Sequence, residues 1–250
     1  MLYYLCMNSP DNNLNNSYYE TLDENFNHAL NLFEKDLSQE EILNYLTKGN
    51  ILQKQISALK ITHLKNESDT LTLIQNLVGQ DGKIRESVSL KTLELIKNPT
   101  YADFFNNKKI YDIFLEAIID INSNVCRNII SSIKYVKNNE LFQTYFIPQF
   151  LENTQKLIDK VKDFDFQDGK YKVNKEVFKL YWYLETLYEL ADLIPTATIK
   201  KILFQTKNID EYTIREKTAK ILTLETFNDN EFVQIRNELK NDKNYYVRRF

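Results

Sequence analysis

A turn followed by an amphipathic helix recurs along this chain. The clearest copy spans Asp210–Asn241, where an acidic turn leads into one helix and a second turn leads into the next. In each copy, the second helix of a pair begins with an apolar residue, which we call the anchor. The six anchors are Leu52, Ile84, Val125, Val173, Ile214 and Val247. Their intervals run from 32 to 48 residues, and repetition at this period predicts stacked helix pairs with loops of variable length.

The residues after the anchors keep a helical period. An apolar residue returns four positions later at Ile56, Val88, Ile129 and Val177, whereas Ile214 is followed there by Thr218 and Ala219. An Asp or Asn in a turn can accept hydrogen bonds from the free N–H groups of the helix that it precedes. We therefore expect each anchor to lie in the core between two helices.

The composition favours an all-α chain. Only four Gly and four Pro occur in 250 residues, too few for the many turns of a sandwich or barrel, and 43% hydrophobic residues suffice for a large core. No run of about 18 apolar residues predicts a membrane span, and the opening residues lack the pattern of a secretion signal. Cys6 and Cys126 lie far apart and show no metal-binding spacing, so a cytoplasmic protein is expected.

The element Asp-x-x-x-(Ile/Val)-Arg, followed by apolar residues at helical spacing, resembles the turn and second helix of a HEAT repeat. The resemblance covers about residues 45–250 and implies a right-handed α-solenoid of HEAT- or armadillo-type helix pairs. In that family the Asp and Arg of neighbouring repeats commonly form a ladder. The residues that match this pattern are Asp81 with Arg85, Asp120 with Arg127, and Asp210 with Arg215, while Lys175 replaces the Arg in the fourth copy.

The chain is expected to form one domain over residues 22–250, preceded by a disordered or loosely packed leader at 1–21 that is rich in Asn. Ser38 and Glu41 have the spacing of a capping box, which predicts a helix start. The pattern lengthens near residues 140–172, which we interpret as an insertion. Within it, Pro148 disfavours helix at Ile147 and predicts a kink or restart.

No group of residues in the sequence has the spacing expected of a catalytic or metal site. His28 and His63 are each alone in their helices, and the carboxylates at 163–169 lack the ligand order of a calcium-binding loop. Cys126 follows a predicted helix start beside Arg127, which favours either a reactive thiol or a small packing residue. Pairs such as Asp112 with Glu116 could share a proton, but solvated helices carry such pairs routinely. We expect no catalytic residues, no metal and no cofactor.

One helical segment carries the candidate binding residues. Between 173 and 194 the apolar positions form one stripe, and Trp182 lies almost opposite to it. Two interpretations remain open: the insertion covers this face, or it is an aromatic and acidic recognition spot on the concave side of the solenoid. The residues assigned to the spot are Phe178, Trp182, Glu185 and Glu189.

The charge distribution bears on the class of partner. The net charge is −3, with an excess of acidic residues in 1–50 and a mild excess of basic residues in 195–250, so nucleic acid is an unlikely partner and no membrane is expected. The favoured function is a non-enzymatic scaffold that binds a protein or peptide. The alternatives are a DNA-repair protein related to the alkylation-repair glycosylases, whose basic groove carries paired Trp residues and a catalytic Asp, or a protein related to phycobilin lyases. The oligomeric state and the partner's identity stay open.

Residues 245–250 begin a further copy and stop within its first turn. We expect Tyr245, Tyr246, Val247 and Phe250 to fold back over the preceding helix as a short cap. The alternatives are contact with a second chain or completion of the stack by a partner.

Overall fold

The computed structural model describes residue 24 and residues 27–162, 164 and 170–250, with the side chains of 170–174 left out. No strand occurs in these ranges, which confirms the all-α prediction. The predicted leader and nearly all of the 163–169 loop lie outside the described residues.

The helices are short and follow one another closely, with a 3₁₀ turn at Gln75–Leu77, another at Asp103–Phe105, and a π turn at Phe142–Phe146. They are α1 (27–34), α2 (Gln39–Lys48), α3 (Ile51–Lys60), α4 (Glu67–Ile74), α5 (Gly82–Ile96), α6 (Pro99–Ala102), α7 (Lys108–Ala117), α8 (Ser123–Ile133), α9 (Ile147–Val161), α10 (Lys170–Glu189), α11 (Thr196–Thr206), α12 (Tyr212–Ile221), α13 (Asn230–Lys240) and α14 (Tyr245–Arg248). None of the described helices is both long enough and apolar enough to cross a membrane.

The helices pack in pairs and also in two sets. The pairs are α2/α3, α4/α5, α7/α8, α9/α10, α11/α12 and α13/α14. The first helices of the six pairs form the first helix set, in which each helix contacts the next one along the chain; between α7 and α9 the π turn contacts both. The second helices form the second helix set, in which each helix also contacts the next, from α3 through α5, α8, α10 and α12 to α14.

Polar side chains start most of these helices. Ser38 and Glu41 form the predicted capping box at α2, in which each side chain accepts a hydrogen bond from the other residue's backbone N–H. Asp81 caps α5 and Asp229 caps α13 in the same general way. These caps satisfy N–H groups that the first turn of a helix leaves without a partner, so the helix starts follow from local sequence.

The anchors lie in the core where their side chains are described, with one partial exception. Ile84, Val125, Ile214 and Val247 are each at most 1% exposed, and Leu52 is half-buried. Burial of an aliphatic side chain stabilises a fold by about 1.5–3 kcal/mol, so these positions contribute strongly to the stability of each pair.

The segment around Pro148 differs in part from the prediction. Ile147 has helical angles, with φ −58° and ψ −48°, so the expectation that helix is disfavoured there was wrong, whereas the predicted restart agrees with α9 beginning at Ile147 after the π turn. Its N–H donates to the carbonyl of Phe142, which is the wider register of a π turn. This register joins the π turn to α9, although Pro148 has no N–H to donate. The segment interpreted as an insertion thus supplies α9, the helix that pairs with α10.

The last turn of the chain packs only in part as expected. Val247 is 1% exposed, Phe250 packs against the core, and α14 contacts both α12 and α13. Tyr245 and Tyr246 remain mostly exposed, so they contribute little to the predicted cap, although the Tyr246 ring lies 6.2 Å from that of Tyr212 on α12. The reason is helical geometry, because a single turn can bury only one side against the neighbouring helices.

Candidate functional site

Trp182 is buried among the second helix set. Its side chain is 5% exposed, so of the two interpretations left open the face is covered, and the open recognition spot was wrong. The ring contacts Phe178 and Tyr181 edge-on, with centroids 6.1 and 5.3 Å away. The guanidinium of Arg127, on α8, lies over it at 5.8 Å from the ring centre. The long side chain of Arg127 thus covers a face of the Trp182 ring that lies away from the apolar stripe of α10.

Glu185 does not form an acidic spot. Its two carboxylate oxygens accept hydrogen bonds from Lys217 and Lys220, each at 2.6 Å. Burial raises the pKa of this carboxyl, but the two lysines outweigh burial and hold the pKa below its ordinary value. Glu189 pairs with Lys134, the C-cap residue of α8, at 3.0 Å. Cations from both neighbouring helices therefore offset the carboxylates that the sequence placed on this face.

Two tyrosines of α10 are also covered. The Lys217 ammonium lies 4.3 Å from the ring centre of Tyr181, and Lys220 lies 4.4 Å from that of Tyr188. The two lysines are three positions apart on α12, so they share one face of that helix. This spacing is the sequence signal that could have indicated a basic neighbour for Glu185.

A cleft of about 230 Å³ opens between α8, α10 and α12. Its walls contain the predicted residues Trp182, Glu185 and Glu189 and the unpredicted residues Arg127, Ile130, Ser131, Tyr181 and Lys217. Phe178 instead lines an adjacent cleft of about 370 Å³ together with Val177, Tyr181, Glu211 and Thr213. The two clefts share Tyr181, so all four predicted residues border one continuous region of the second helix set.

Arg127 has unused donor capacity in the smaller cleft. It donates from Nη1 to Asn124 at 3.0 Å and forms no ion pair within the described part of the chain. The indole N–H of Trp182 also has no acceptor among the described residues, but it is buried and therefore not open to a ligand in the cleft. The open donors of the cleft are those of the Arg127 guanidinium, which favours a ligand with acceptor oxygens.

Cys126 is a packing residue. It is fully buried, and its thiol donates to the carbonyl oxygen of Asp120 at 3.0 Å. Burial, followed by the nearby Asp120 carboxylate, raises the pKa of the thiol to about 12. The thiolate needed for nucleophilic chemistry is therefore disfavoured at neutral pH.

The other candidate residues are not brought together. His28 and His63 are both exposed, and Asp112 accepts a hydrogen bond from the Tyr145 hydroxyl at 2.8 Å. No group of three or more His, Cys, Asp or Glu side chains suited to a metal ion occurs in the described ranges. Comparison of the chain with protein-family models, with curated proteins and with solved structures found no match.

Proposed function

We propose that the protein is a HEAT-like α-solenoid that acts as a non-enzymatic scaffold and binds a protein or peptide along its second helix set. The ordered contacts within the two helix sets support the solenoid, because in such stacks each repeat touches only its neighbours. The observation that carries the binding proposal is the cleft between α8, α10 and α12, in which the exposed Arg127 guanidinium has donors without partners. A cytoplasmic location is part of this proposal.

A protein partner suits this face better than nucleic acid. Arg127, Lys134, Lys217 and Lys220 are the cations of the face, and Glu185 and Glu189 offset part of their charge. Strong duplex binding needs many unopposed cations that release counterions, and the chain as a whole carries −3. Glu185, the nearest carboxylate to Trp182 on α10, is fixed by two lysines, which gives no support to a glycosylase-like role. Among the described residues, no contact favours the analogy with phycobilin lyases.

Site-specific photo-crosslinking in the native host tests the scaffold. A photoreactive benzoylphenylalanine replaces Tyr188, a half-buried aromatic residue of the second helix set. The matched control carries it at Glu152, which is exposed on α9 of the first helix set. We expect one or a few proteins to crosslink from position 188 and not from position 152, with mass spectrometry as the readout.

Two results would overturn this proposal. The first is the same set of products from both positions, since that indicates nonspecific contact. The second is nuclease-sensitive crosslinking from position 188, which would reverse the ranking of protein and nucleic acid. The second outcome would be supported by sub-micromolar duplex binding with a steep salt dependence.

A further inference from the structure

We infer that the cleft between α8, α10 and α12 receives a carboxylate side chain of the partner, so that the partner is recognised through an exposed Asp or Glu of a peptide segment. This inference rests on the proposed scaffold function. It assigns the chemistry of the ligand, which the scaffold proposal leaves open.

Arg127 is positioned to bind such a group. Its side chain is exposed, yet its guanidinium is held on one side by Asn124 and lies over the Trp182 ring. Those contacts restrict the orientation of the guanidinium while leaving several N–H donors free. A fixed guanidinium matches the two oxygens of a carboxylate, and the restricted orientation lowers the entropy lost on binding.

The rest of the cleft supplies one further donor and leaves one cation unpaired. The hydroxyl of Ser131, one turn after Arg127, forms no hydrogen bond within the described ranges. Lys217 adds a second cation to the wall. The wall carries the cations Arg127 and Lys217 and the carboxylates Glu185 and Glu189. Both carboxylates are already ion-paired with lysines, so Arg127 is the cation that an entering negative charge can pair with.

The size and charge of the cleft limit the kind of anion. About 230 Å³ accommodates one acidic side chain with some flanking peptide, but not the backbone of a nucleic acid duplex. Glu185 and Glu189 are also in the wall, but both are ion-paired with lysines, so they leave the Arg127 guanidinium available to an anion. We assign a carboxylate as that anion, and the comparison with phosphate is part of the test below.

Trp182 is the only tryptophan of the chain, so its fluorescence reports directly on the cleft. The probe is the peptide acetyl-Ala-Glu-Glu-Glu-Ala-amide, titrated into the full chain at low ionic strength. The control peptide carries Gln in place of each Glu. We expect a saturable change in Trp182 emission with the Glu peptide and none with the Gln peptide.

Variants connect the signal to the cleft. Arg127→Gln is expected to weaken Glu-peptide binding at least about tenfold, a difference of about 1.4 kcal/mol. Ser131→Asp places a carboxylate in the cleft while retaining Arg127, and it is expected to abolish the response. Lys97→Gln, which changes another exposed cation with no ion pair in the described part of the chain, is expected to leave the response unchanged.

The outcomes separate the two proposals. The carboxylate inference is overturned by an equal response to the Gln peptide, or by a response that survives both Arg127→Gln and Ser131→Asp. It is also overturned if a phosphoserine peptide or inorganic phosphate binds more tightly than the Glu peptide. If protein still crosslinks from position 188 in any of these cases, the scaffold function stands and only the ligand class falls.

Discussion

Arg85 and Asp120 form a two-point ion pair that joins two successive helix pairs. Nε of Arg85 lies 2.6 Å from Oδ2 of Asp120, and Nη2 lies 3.1 Å from Oδ1. The same carboxylate accepts the backbone N–H of Asn122 at 2.7 Å, in the turn that starts α8. A single Asp thus fixes both a turn and the neighbouring pair, because a carboxylate can accept several hydrogen bonds at once.

Arg215 and Asp242 repeat this arrangement between the last two pairs, with Nε to Oδ2 at 2.6 Å. The Asn244 N–H again donates to the Asp carboxylate. In both cases Arg pairs with the Asp of the following unit. Asp242 was not among the residues assigned to the ladder, and Asp210, which was, pairs with Lys243 instead. Arg127 does not join this series, because its guanidinium lies over Trp182 instead.

Breaking the buried ion pair between Arg215 and Asp242 should destabilise the protein strongly. Arg215→Met leaves the largely buried Asp242 carboxylate without its partner, and we expect a loss of about 3–5 kcal/mol in the free energy of unfolding. Urea unfolding monitored by circular dichroism measures this. Lys156→Met, which removes one partner of an exposed pair with Glu152, should change the free energy by less than about 1 kcal/mol. Equal effects of the two changes would show that Arg215 has no special role.

The same pair should make stability depend on pH in acid. Burial raises the pKa of Asp242, but the hydrogen bonds from Arg215 and from a backbone N–H outweigh it and lower the pKa below 3.8. A lowered folded-state pKa stabilises the protein above the unfolded-state pKa, and this contribution is lost as the pH falls through the folded-state pKa. We expect Asp242→Asn to lose less stability than the wild type between pH 5 and pH 3. Parallel pH profiles for the two proteins would contradict this linkage.

The buried anchors should tolerate no charge. Ile84→Asp and Ile214→Asp each bury an unpaired carboxylate between two helices, and we expect a loss of several kcal/mol or complete unfolding. Leu90→Asp is the matched control, because Leu90 lies on the same helix as Ile84 but is 51% exposed. Thermal melts should show a large decrease for the anchor variants and little change for the control. Wild-type melting temperatures for the anchor variants would show the assignment to be wrong.

The thiol of Cys126 should be unreactive in the folded protein. Its burial and its pKa of about 12 leave little thiolate at pH 8. In a Cys6→Ser background, we expect Ellman's reagent to label Cys126 only after denaturation in guanidinium chloride. Labelling of the native protein within minutes would mean that Cys126 is accessible.

Removal of the last turn should expose the helix below it. Val247 and Phe250 cover part of α12 and α13, so deleting Tyr245–Phe250 is expected to cost about 2–4 kcal/mol of stability. The uncovered apolar surface should also promote self-association, which light scattering detects. Tyr245→Ala, at a residue 66% exposed, should have neither effect. A truncated chain that is monomeric and as stable as the full chain would show that these residues cap nothing.

Local sequence determined the helices of this protein and the residues that start and anchor them. Caps such as Ser38 and Asp229 act within three residues of their own position, and the anchors Ile84 and Ile214 follow from a period of 3.6 residues. Both kinds of signal belong to a single helix, so they can be identified before any helix is placed against another.

The environment of Trp182 was decided only when the helices were packed. Arg127 lies 55 positions before Trp182 and Lys217 lies 35 positions after it. No pattern within a single helix connects residues that are so far apart in the sequence. Their approach depends on the spacing and rotation of α8 and α12 relative to α10, which long side chains then fill. For this reason the sequence left open whether Trp182 is covered, and only the tertiary structure shows a covered indole beside a cleft lined by both cations and carboxylates.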